Sequence, residues 1–176
     1  MRKILLLALT LSTAFLLSAC GGDDDSVKLG VIGPLTGPYS FYGLSVENGA
    51  MLAAKEINEA GGVLGLDLEI IAYDSEGDPT KGVNAYNRLR DEDEIDALIG
   101  GTFSGVTGAI KDLAVQDRMP VLTPTATNPS ITTDASNVFR ACFVDSYQGQ
   151  VLAAFANESS AINATKAAIL YNVDDA

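Results

Sequence analysis

The chain has 176 residues, 47% of them hydrophobic, and its 23 acidic side chains outnumber 11 basic ones for a net charge of −12. That balance argues against nucleic acid as a partner, because gripping phosphates needs an excess of Lys and Arg. Having no histidine and only two cysteines, the chain also lacks the means for a Cys–His nucleophile or a Cys/His metal site.

Arg2 and Lys3 precede an apolar run from Ile4 to Leu17 that closes on Leu17-Ser18-Ala19-Cys20, the layout of a secretory signal peptide over residues 1–19. The run is shorter than the roughly 20 residues a membrane-spanning helix needs, so an uncleaved anchor is the weaker alternative. Its last four residues resemble a lipobox, which implies acylation of Cys20 and a mature chain beginning there, extracytoplasmic and held to a membrane by its lipid. Residues 20–26, with Gly21-Gly22-Asp23-Asp24-Asp25-Ser26, are too polar for a core and read as a flexible tether. Three adjacent aspartates in a floppy linker are a solvated charge run rather than a metal site. Removal of Arg2 and Lys3 leaves 9 basic against 23 acidic residues, a charge of −14 that repels anionic lipid and makes a covalent anchor necessary. With Cys20 acylated, Cys142 has no partner for an intrachain disulfide and reads as a buried structural thiol.

Strands and helices then alternate. Val27 to Ile32 is a short β-rich run, and Val46, Ala50, Ala53, Ala54 and Ile57 recur at helical spacing until Gly61-Gly62 stops them. Leu66 to Tyr73 is the second strand. Asp78-Pro79 supplies an N-cap followed by proline at the first helical position, with Val83, Tyr86 and Leu89 on the inner face. Asp96 to Ile99 is a third strand, running through Gly100-Gly101 into a helix near Ser104 with Val106, Ala109, Ile110, Leu113 and Ala114 on one side. Pro120 to Thr123 and Asn137 to Phe143 are strands four and five. Such βα repeats predict a doubly wound α/β domain, a parallel sheet flanked by helices with right-handed crossovers, over residues 27–143. Residues 144–176 read as a crossover and the incomplete start of a second lobe, with a helix from Ser146 to Ser159 and a strand from Lys166 to Tyr171.

In an open parallel sheet, ligands bind beyond the carboxyl ends of the strands. The loops there are Gly33-Pro34-Leu35-Thr36-Gly37-Pro38-Tyr39-Ser40-Phe41-Tyr42-Gly43, Gly100-Gly101-Thr102-Phe103-Ser104-Gly105 and Thr123-Pro124-Thr125-Ala126-Thr127-Asn128-Pro129. They offer hydroxyls, small residues and aromatics, without basic groups. A helix beginning near Ser104 presents unpaired backbone N–H groups and the positive end of its dipole to an anion such as an α-carboxylate. Read from the residues alone, Ser104 and Thr127 equally suit helix capping, Tyr42 a loop aromatic packed on the domain, and Asp145 a surface acid or an N-cap.

The words GPLTG…YG, ENGAMLAAKEINEAGG, YDSEGDP, GGTFSG, TPTATNPSIT and FRACFVDSYQGQ, in this order from Val27 onward, resemble the periplasmic branched-chain amino-acid-binding family of the type I periplasmic-binding-protein fold. The resemblance implies two α/β lobes closing over a ligand, a lipoprotein serving an ABC permease, and no cofactor. It places Ser104 and Thr127 on the ligand carboxylate, the Thr125 carbonyl, the Thr127 hydroxyl and Asp145 near the ammonium, and Tyr42 on the pocket wall. Thr123, Thr125 and Cys142 depart from the residues common in that family, so the pocket is expected to be narrower or more polar than one for leucine. The class of ligand is a small amino acid or a related amide or carboxylate.

An enzyme is not expected: there is no GxGxxG after the first strand, no P-loop, no GxSxG elbow and no histidine to act as a base. Two other roles keep the fold while giving up the transport pocket: an interaction or activator lipoprotein for cell-wall synthesis, and a ligand sensor.

Overall fold

The computed structural model describes residues 26–158 and 162–170; the expected signal peptide, Cys20 and the tether up to Asp25 lie outside them. Five strands form one sheet: β1 (Val27–Gly33), β2 (Leu68–Asp74), β3 (Ala97–Gly100), β4 (Val121–Thr123) and β5 (Val138–Arg140). Between and after them run α1 (Ser40–Glu59), α2 (Pro79–Asp91), α3 (Ser104–Asp117), a 3-10 turn (Pro129–Ile131) and α4 (Asp145–Asn157). Every pairing is parallel and the order is β2-β1-β3-β4-β5, the doubly wound arrangement expected from the alternation of strands and helices.

The order reverses at β1, and this decides where the helices go. A right-handed crossover from β1 to β2 carries α1 to one face, whereas steps in the opposite direction, from β2 to β3 and β3 to β4, carry α2 and α3 to the other. The main core lies between the sheet and α2 and α3, where Leu98, Val121 and Val138 meet Tyr86, Leu89, Val106 and Ile110, all buried. As predicted, Asp78 caps α2, its carboxylate accepting from the Lys81 N–H at 2.9 Å with Pro79 following. On the opposite face α1 packs on β1 and β2 through Ala50 and Ala54.

Differences from the sequence expectations have local causes. β2 begins at Leu68, not Leu66, because the Asn58 side chain accepts from the Leu68 N–H at 2.7 Å and donates to its carbonyl at 3.0 Å, while Leu66 bridges back to Val63. β5 is shorter than Asn137–Phe143: the Asn137 amide donates to the carbonyls of Ala114 and Met119 ahead of the strand, and the chain turns after Arg140 toward α4. Of the five apolar positions expected inside α1, Ala53 and Ile57 are exposed. Residues 166–170 carry no regular structure and are exposed, so the strand expected over Lys166 to Tyr171 is not formed there; a strand needs a ladder partner, and none pairs with these residues among those described. Among the described residues no helix is long and apolar enough to cross a membrane.

Candidate functional site

Three strand ends build one concave surface. β3 is followed by Gly101 at φ +63°, where a side chain is excluded twice over: a Cβ would lie 2.1 Å from Thr107 Oγ1 and 2.5 Å from its Cα. The Gly101 carbonyl accepts from the hydroxyls of Thr107 and of Thr123, the latter at 3.0 Å, tying the β3 turn to the end of β4. This fixed turn delivers Phe103 as the residue before α3 and Ser104 as the first of the helix. No side chain caps α3, so the first backbone amides of the helix, at Ser104 and Gly105 beside the cleft, have no capping side chain as partner.

From β4 the chain passes through Thr125, whose hydroxyl donates to the Thr102 carbonyl, and Ala126, whose N–H donates to Thr123 Oγ1 at 3.2 Å. Thr127 Oγ1 then donates to Asp145 Oδ2 at 2.9 Å, and the Asp145 N–H returns a bond to the Thr127 carbonyl at 3.3 Å. Asn128 closes the circuit, its N–H donating to Ser104 Oγ at 3.3 Å. The loop is held from behind by Arg140, which donates to the Asn128 carbonyl at 2.8 Å.

The result is a cleft of about 480 Å³ lined by Thr102, Phe103, Ser104, Gly105, Thr125, Thr127, Asn128 and Asp145. Four residues singled out in the sequence, Ser104, Thr125, Thr127 and Asp145, therefore share one surface. The fifth, Tyr42, stands in the first turn of α1 and does not line the cleft; its ring meets that of Phe103, which does, at 5.8 Å and 75°. The capping alternatives do not hold for Ser104, Thr127 or Asp145: the positions before α3 and α4 are Phe103 and Val144, neither with a side-chain cap bond, and Asn128, not Thr127, caps the 3-10 turn. Ser104 accepts one hydrogen bond and keeps its own proton for another acceptor. The cleft has two electrical poles, the amide end of α3 beside Ser104 and the carboxylate of Asp145.

Phe103, Thr102 and Asn128 are not marked individually by the sequence, although each lies within one of the loops beyond the strand ends. Thr102 is 2% exposed, and its hydroxyl makes no hydrogen bond with the described residues. No sequence pattern marks that; it follows from the packing of Thr102 against Gly33 at the end of β1.

The first loop is pinned from the neighbouring strand. Gly33 and Asp74 are in register at the ends of β1 and β2, and the Asp74 carboxylate accepts from the Leu35 N–H at 2.8 Å, the Glu76 N–H at 2.7 Å and the Thr36 hydroxyl at 2.5 Å. Desolvation alone would raise the Asp74 pKa; the bonds from Thr36, Glu76 and Leu35 outweigh it and hold the carboxyl below its ordinary value. Cys142 is half-buried, with its thiol 3.5 Å from the Ala126 carbonyl behind the cleft loop.

Residues 26–176 match the model of a family described as periplasmic binding protein. Among curated proteins, the Leu/Ile/Val-binding protein BraC3 of Rhizobium johnstonii is 38% identical over 130 residues, 73% of this chain and 35% of its own. The leucine-, isoleucine-, valine-, threonine-, and alanine-binding protein of Pseudomonas aeruginosa is 35% identical over 76% of this chain and 36% of its own. The crystal structure of the leucine binding protein LivK from Thermotoga maritima superposes with a TM-score of 0.69 at 35% identity, covering 76% of this chain and 37% of that one. The branched-chain amino acid transporter substrate binding protein LivJ of Streptococcus pneumoniae, solved with isoleucine, gives 0.72 at 28% identity, over 77% and 39%. The chain thus spans about a third of the length of the curated relatives it matches.

Proposed function

The chain belongs to the periplasmic binding protein family, and from that premise we propose that it is the ligand-gripping part of an extracytoplasmic solute-binding lipoprotein that delivers a small amino acid, or a related amide or carboxylate, to an ABC permease. The observation that carries this reading is the convergence of Ser104, Thr125, Thr127 and Asp145 on one cleft with opposite electrical poles. A zwitterion fits those poles. Its carboxylate takes the Ser104 proton and the amides of the first turn of α3; its ammonium takes Asp145, oriented by the Thr127 hydroxyl, and the Thr125 carbonyl. None of these groups does covalent chemistry in this reading, so the protein is a binder and not an enzyme, and Cys20 supplies the lipid anchor.

Three charge-assisted hydrogen bonds contribute about 5–9 kcal/mol, against 4 kcal/mol or more for immobilising the ligand. Micromolar affinity needs about 8 kcal/mol. The open cleft of residues 20–176 alone is therefore expected to bind weakly or not at all, and the balance is proposed to come from a second lobe that closes over the ligand, within the length the relatives have in addition.

The test is titration calorimetry of the protein expressed from its complete reading frame with a panel of amino acids, amides and small carboxylates. At least one amino acid should bind at micromolar or better. Ser104→Ala and Asp145→Asn should each weaken it about tenfold or more, because each removes a charge-assisted hydrogen bond. A panel without binders, or variants that bind as tightly as the wild type, would refute the reading.

A further inference from the structure

We propose that Phe103 sets the side-chain preference of the cleft and favours a flat aromatic side chain over a branched aliphatic one of similar size. The inference rests on the amino-acid-binding reading above and departs from the expectation of a pocket narrower than one for leucine. Phe103 directly precedes Ser104, so a ligand whose carboxylate sits on Ser104 projects its side chain from within a residue's length of this ring. Phe103 lines the cleft and is partly buried against the core.

What distinguishes Phe103 from an ordinary apolar wall is how firmly it is held. Tyr39 meets it edge-on at 5.6 Å and 85°, and Tyr42 does so at 5.8 Å and 75°. On a third side lies Gly77, placed so closely that a Cβ there would come within 3.1 Å of Phe103 Cε2. Phe41 extends the group, 4.2 Å from Tyr42. A ring clamped in this way has little rotamer freedom left to lose when a ligand settles on it. The outer rings remain largely in water: Tyr39 is 55% exposed, Phe41 59% and Tyr42 42%.

An aliphatic side chain placed here gains in proportion to the area it covers. A planar ring gains that area and, in addition, an offset or edge-to-face pairing with Phe103, because the negative faces and positive edges of the rings are complementary. The additional term corresponds to roughly a twofold to tenfold preference in affinity. The remaining wall is largely hydroxyl, amide and the Asp145 carboxylate, which offers a branched aliphatic chain no matching compensation.

The measurement is calorimetric titration of the protein from its complete reading frame with L-phenylalanine, L-leucine and L-alanine, in the wild type, Phe103→Leu and Tyr39→Leu. Phenylalanine should bind the wild type about twofold to tenfold more tightly than leucine. Phe103→Leu should bring that ratio to one or below, weakening phenylalanine more than alanine. Tyr39→Leu, which loosens the ring without altering the cleft wall itself, should lower the ratio partway and keeps the test decisive if Phe103→Leu does not fold. A wild type that favours leucine, a ratio unchanged in both variants, or equal weakening of all three ligands would overturn the assignment and leave amino-acid binding intact. If none of the three binds the wild type, while an amide or a carboxylate without an ammonium does, amino-acid binding fails and this inference fails with it.

Discussion

The two faces of the sheet obey the same strand alternation and end in different environments. Leu98, Val121 and Val138 point toward α2 and α3 and are 1–3% exposed. On the opposite face Leu122 and Phe139 alternate with them in the same strands and are 39% and 56% exposed, because α1 covers β1 and β2 and, among the described residues, no helix lies over β4 and β5. Parallel sheets are ordinarily covered on both sides. The difference teaches that an apolar side chain reports the face it is made for, whereas its burial depends on which elements are at hand.

The comparison breaks most readily at Leu89. This side chain of α2 is wholly buried against the sheet, so Leu89→Ala leaves a cavity in close-packed surroundings and should cost about 2–5 kcal/mol in urea unfolding. Leu122→Ala, the same deletion on the open face, should cost less than about 1 kcal/mol. Similar losses at both sites would mean that the two faces are equally packed in solution.

These contrasts also mark what could be read from the residues beforehand. Helix α2 was legible because every signal agreed: Asp78 and Pro79 at its start, and Val83, Tyr86 and Leu89 at core spacing with a partner to receive them. Helix α1 was half legible. Its stripe is as regular, yet only part of it finds a neighbour, leaving Ala53 and Ile57 outside. The cleft residues were legible as polar loop positions beyond strand ends, but the bond between Thr127 and Asp145, 18 positions apart, depends on how β4 and the start of α4 approach each other. Periodicity carries no signal for such a pairing, nor for the clamp on Phe103, which draws on the first loop, the loop after β2 and the loop after β3 together.

A finer test concerns the loops rather than the faces. Asp74 ties the first loop to β2, and its acceptor bonds are to a charged carboxylate. Asp74→Asn keeps the shape and loses the charge, which should cost about 1–2 kcal/mol at pH 7. The sign with pH follows from the direction of the shift. The folded-state pKa lies below the ordinary carboxylate value of 3.8, so the stabilisation is complete well above 3.8 and is lost as the pH falls through 3.8 and then through the folded value. Unfolding curves taken downward from pH 7 should draw together for wild type and variant as the pH falls below 3.8. A gap that stays constant over the whole range would show that Asp74 acts through shape alone.

The smallest expected effect is the most informative about the open face. Phe139 sits in the edge strand β5 and is 56% exposed, so Phe139→Ser removes a ring that is only partly out of water. Set against the roughly 1.5–3 kcal/mol for full burial of such a side chain, the loss in residues 20–176 should stay below about 1 kcal/mol. The same substitution in the protein from its complete reading frame separates two situations. If a further element covers β4 and β5 there, the ring lies within a core and the cost rises to about 3 kcal/mol or more. If the cost is unchanged, the face stays open in the whole protein, and the apolar alternation of β4 and β5 serves something other than the interior of this fold.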